Sequence, residues 1–69
     1  MAVGKTAESI ACLREAVSLR PEYFNAHYNL GQALAESGKT DEAVAEFSRA
    51  LKLQPGDADT IEALKKLGK

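Results

Sequence analysis

Apolar side chains recur along this chain in steps of three and four. Ile10, Leu13 and Val17 form one series, and Val44, Phe47 and Leu51 form another. That spacing sets side chains on one face of a helix with about 3.6 residues per turn. Tyr23, His27, Leu30 and Leu34, with Gly31 beside them, make a third stripe across roughly Glu22 to Ser37, and Ile61, Leu64 and Leu67 make a short fourth within Ala58 to Leu67. The pattern predicts an all-α fold of about four helices.

Turn residues divide the stripes. Pro21 and Pro55 end the helices before them, because proline disfavours helical backbone at the preceding residue. Gly38 is expected to end the second helix, since glycine adopts the left-handed C′ conformation without steric cost. Thr40 is the expected N-cap of the third helix, with Asp41 and Glu42 in a first turn that favours negative charge. Gly56-Asp57 supplies a turn and a cap for the fourth. A link this short between the second and third helices requires them to run antiparallel.

The chain also repeats itself. Shifted by 34 positions, Gly4-Lys5-Thr6 falls on Gly38-Lys39-Thr40, Ala16 on Ala50, Leu19 on Leu53 and Pro21 on Pro55. Ile10 pairs with Val44 and Leu13 with Phe47. Small residues flank each stripe, Ser9 and Ala16 in the first copy and Ala43 and Ala50 in the second, which permits a neighbouring helix to approach closely.

Asn29-Leu30-Gly31, Ala35, Gly38, Asp41-Glu42-Ala43, Phe47, Ala50-Leu51 and Leu53-Gln54-Pro55 resemble a tetratricopeptide repeat, with period and pattern in agreement. The likeness covers one complete unit from about Phe24 to Asp57. It makes the 69 residues one module: the second helix of a partial repeat at about 5–20, a complete repeat at 22–55 and a capping helix at 57–68. Two positions depart from the family pattern. His27 stands where tryptophan is frequent, with Tyr23 and Phe24 expected to fill some of the missing volume, and Leu34 stands where tyrosine is common.

The resemblance implies antiparallel helix pairs stacked as a short right-handed superhelix. It also implies a non-catalytic module that binds a protein or an extended peptide on its concave face. The family's groove positions fall here on Asn25, Tyr28, Asn29, Gln32 and Glu36, with Asp59, Glu62 and Lys66 from the last helix. Amide side chains offer both donors and acceptors to a peptide backbone, and Tyr28 adds a stacking face with a polar tip. The family's carboxylate clamp is not expected, because Asp59 and Ala63 occupy positions where it uses lysine and arginine. The first helix is expected to leave some apolar face open, so that either the sequence is an excerpt from a longer array or two chains cover each other; the second case makes self-association as a homo-oligomer the alternative.

Charge narrows the field further. Nine Lys and Arg against ten Asp and Glu, mixed along the chain, give a net charge of -1 and no basic patch for nucleic acid, which also argues against a helix-turn-helix reader of DNA. Lys65, Lys66 and Lys69 suit a helix C-terminus. The single cysteine, Cys12, forms no internal disulfide, and it reads as a small hydrophobe at the edge of its stripe. Neither a metal nor a cofactor is expected. The first residues lack a signal-peptide core and no apolar run approaches a membrane span, so the expected compartment is the cytoplasm.

Two apparent motifs have structural explanations. Gly4-Lys5-Thr6 and Gly38-Lys39-Thr40 look like the end of a phosphate-binding loop, but Ala33 stands where the second copy would need its leading glycine and no strand precedes either. Both are expected to be repeat turns. His27 has no nucleophile or orienting carboxylate at a telling spacing, so it reads as a partly buried structural histidine rather than a general base.

Overall fold

The computed structural model describes residues 2–68, with side chains from Glu8 onward. It contains four helices: α1 Ala2–Leu19, α2 Phe24–Glu36, α3 Thr40–Leu53 and α4 Ala58–Lys66. Gly4-Lys5-Thr6 is helical backbone inside α1 and not the turn expected from its match to Gly38-Lys39-Thr40, because α1 starts at Ala2; the side chains of those residues and Lys69 lie outside the described residues.

Two of the helix boundaries are closed by local hydrogen bonds. After α2, Gly38 takes φ 83° and the chain closes a Schellman motif, with the Lys39 amide donating to the Leu34 carbonyl at 2.9 Å and the Gly38 amide to the Ala35 carbonyl at 3.1 Å. At α4, the Asp57 carboxylate accepts from the Thr60 amide at 3.0 Å and from the Thr60 hydroxyl at 2.7 Å. Thr40 is not the cap of α3. It is the first helical residue, Lys39 occupies the cap position, and no side chain caps that end. Asp41 and Glu42 in the first turn supply the negative charge that the exposed amides favour.

The centre of the molecule is the seam between α2 and α3, whose short link makes them antiparallel. Leu30, Leu34 and Phe47 are each 1% exposed, and Ala43 and Ala50 are fully buried. The alanines and Gly31 let the two helices come together. A Cβ at Gly31 would lie 2.8 Å from the Phe47 ring, so only glycine leaves space for that ring. Ile10 closes the core from the α1 side, with Leu13 and Val17 half-buried beside it. An exposed ion pair from Arg14 to Glu42, 2.6 Å, ties α1 to α3.

Three side chains sit differently from the periodic expectation. Tyr23 is 48% exposed, outside the buried stripe, and Phe24 stacks on Tyr28, with ring centroids 6.0 Å apart. On α4 the innermost residue is Thr60, fully buried, while Ile61 is exposed. The hydrogen bond to Asp57 satisfies the Thr60 hydroxyl and lets a polar side chain occupy the seam. Cys12 is exposed and borders the open depression that Leu13 also lines.

Candidate functional site

Because α2 and α4 both pack antiparallel to α3, they run parallel to each other, and a groove of about 400 Å³ lies between them. Its floor is apolar, made by Phe47 from below and by Ala35, Ala63 and Leu67 from the sides. Tyr28, Gln32 and Glu36 project from α2 at intervals of four, and Asp59, Glu62 and Lys66 from α4 at intervals of three and four. Six of the eight positions named from the sequence therefore meet across one groove.

The other two do not line it. Asn25 is exposed outside the groove. Asn29 faces a separate open depression toward α1, beside Ser9, Cys12 and Leu13. One helical step of 100° carries Asn29 past the groove wall, although it neighbours Tyr28 in sequence.

Tyr28 is the best-anchored polar residue of the groove. Its ring lies nearly parallel to Phe24 at 14° and tilts against Phe47 at 59°, with centroids 5.7 Å apart in the second pair. Gln32 donates its amide hydrogen to the Tyr28 hydroxyl at 3.0 Å, leaving the phenol's own proton free to donate into the groove. Burial, followed by the carboxylates of Asp59 and Asp57, holds the phenol above its usual range, so it remains a donor.

A second polar cluster lies away from the groove. His27, 5% exposed, places Nε2 2.6 Å from the Pro21 carbonyl and Nδ1 2.8 Å from Glu46, whose other carboxylate oxygen accepts from Arg49 at 2.9 Å. A carbonyl only accepts, so Nε2 carries a proton. The cluster supplies an orienting carboxylate that the sequence spacing did not reveal, since Glu46 lies on a different helix, 19 residues away. No described polar side-chain atom that is buried lacks a partner. The ring thus joins the α1–α2 turn to α3, and His27 is buried more deeply than the partly buried position expected from the sequence.

Among the described residues no three His, Cys, Asp or Glu side chains converge as a metal site, and no described helix is long and apolar enough to cross a membrane.

Antiparallel helix pairs repeating every 34 residues, with a groove between parallel helices, define a helical-repeat module. The chain belongs to the tetratricopeptide-repeat family: the family model described as "Tetratricopeptide repeat", a non-catalytic module, matches residues 1–58. It is similar to tetratricopeptide repeat protein 7B of Homo sapiens, 36% identical over 62 residues, which is 90% of this chain and 7% of that protein. It is also similar to DnaJ homolog subfamily C member 3 of Mus musculus, 30% identical over 69 residues, all of this chain and 14% of that protein. The chain thus spans only a small part of the curated relatives it matches.

Proposed function

We propose that the chain is a protein-binding module that holds an extended segment of a partner protein along the groove between α2 and α4. The observation carrying this reading is the apolar floor of Phe47, Ala63 and Leu67 between two parallel rows of polar side chains. Such a trough matches an extended peptide, whose alternate side chains face down while its backbone amides meet the walls. Gln32 and Tyr28 provide the acceptor and donor for that backbone. The experiment uses an array of extended decapeptides and Tyr28→Phe combined with Gln32→Ala. This pair removes polar groups while keeping the ring. Peptides captured by the wild type are expected to be lost by the variant at unchanged helicity, whereas Asn29→Ala retains them. Equal capture by wild type and groove variant would defeat the proposal.

A second reading, self-association through α1, is favoured by the open apolar surface there. Leu19 is 75% exposed, and half-buried Leu13 borders the depression beside Asn29. Sedimentation over a wide concentration range tests it: a mass that rises with concentration supports an interface, and a constant monomer mass removes one.

A further inference from the structure

The polar groups around the groove are not evenly balanced. Glu36, Asp59 and Glu62 contribute carboxylates, and Lys66 alone contributes a cation. Because α2 and α4 are parallel, Glu36 and Lys66 both belong to the end reached two turns beyond Tyr28 and Asp59, which places one charge of each sign at that end. The opposite end carries the uncompensated charge. Among the described residues neither Asp59 nor Glu62 has an ion-pair partner, and the Asp57 carboxylate that caps α4 adds to the same field. The field reaches Tyr28, whose phenol feels both Asp59 and Asp57.

We infer that the groove takes a basic segment: an extended peptide that lays an apolar residue over Phe47 and Leu67 and sets an arginine against Asp59, Glu62 and the Tyr28 hydroxyl end. This rests on the groove being the binding surface. An acceptor-rich end matches a donor-only side chain. The guanidinium offers five N–H donors in one plane and no acceptor, so it pairs with two carboxylates without leaving either unmatched. It also lies favourably against an aromatic ring. An acidic peptide would meet two like charges at this end, and a neutral one would leave both carboxylates without a counter-charge.

The test titrates the chain with three fluorescent decapeptides that share one apolar sequence and carry arginine, glutamine or glutamate at two central positions. The arginine peptide is expected to bind about tenfold tighter than the glutamine peptide, the combined effect of two partly screened ion pairs worth a few-fold each. The glutamate peptide is expected to bind weakest, and added salt should narrow the gap. In Asp59→Asn with Glu62→Gln, both exposed side chains, the arginine peptide should fall to the glutamine level while circular dichroism stays unchanged. If the arginine and glutamine peptides bind equally, the charge preference is overturned while the groove reading stands. If the glutamate peptide wins, the sign is wrong. If none binds, both readings fall together.

Discussion

Gly31→Ala is the sharpest probe of the packing on which the groove is built. At an open helical site, replacing glycine by alanine stabilises by about 1 kcal/mol, because the backbone loses less freedom on folding. Here the new methyl would stand 2.8 Å from Phe47 Cε1 and 2.9 Å from Cδ1, so the ring would have to retreat by roughly half an ångström to reach ordinary contact. The ring is 1% exposed and leans on Tyr28. Overpacking of this kind costs about 1–3 kcal/mol, which outweighs the helical gain. The expected net loss is about 1 kcal/mol from a total of about 3–10 for a chain of this length, or a fall in Tm of about 4–8 °C. Urea and thermal unfolding followed by circular dichroism measure it. The same experiment on Phe47→Leu and on the double variant completes a cycle. Leucine lacks the ring atoms that the new methyl would strike, so the double variant should be more stable than the summed losses require, by about 1 kcal/mol. Strict additivity, or a Gly31→Ala chain with a higher Tm, would refute the account of that contact.

Three further outcomes are expected. Glu46→Ala should destabilise by about 2–3 kcal/mol, because it strips a buried His27 nitrogen of its partner, while Glu46→Gln, which keeps an oxygen acceptor, should cost less; equilibrium unfolding distinguishes them. Asp57→Ala should remove about 1 kcal/mol by uncapping α4, with faster amide exchange at Thr60 and Ile61 and little change in α2. The hydrogen bond from Arg14, aided by its charge, lowers the Glu42 carboxyl below its usual range. A lowered folded pKa means that this stabilisation is complete above the ordinary value near 4.5 and is lost as pH falls through the lowered one. Glu42→Gln should therefore flatten the acid limb of a stability–pH curve by slightly lowering stability near neutral pH, while leaving stability below the lowered pKa little changed.

The helices and their punctuation were legible because each depends on nearby residues. Periodicity places Leu30, Leu34 and Phe47 inside, and Gly38 and Asp57 act where a turn-forming and a capping residue were read. What was hidden depends on how helices cross. The position of Glu46 corresponds to Cys12 one repeat earlier, which gives no hint that its carboxylate would turn inward to His27. Thr60 reads as polar surface until its hydroxyl is seen bonded to Asp57, and Ile61, one step round the helix, then faces out. In the groove, Tyr28, Gln32 and Glu36 share a wall because their spacing is a helical ridge. The division between Gln32 and Asn29 follows from α1 and α4 lying on opposite sides of α2.

The most direct measurement is a ¹⁵N-edited NMR titration of the chain with the arginine-bearing decapeptide. A groove that holds the peptide moves the amide signals of Tyr28, Gln32, Glu62 and Ala63 together along one saturating curve, leaving Val17, Ser18 and Leu53, which border a cavity elsewhere on the molecule, in place. Signals that shift around Cys12 and Asn29 instead, or around Val17 and Leu53, would place the contact on another face and contradict the account.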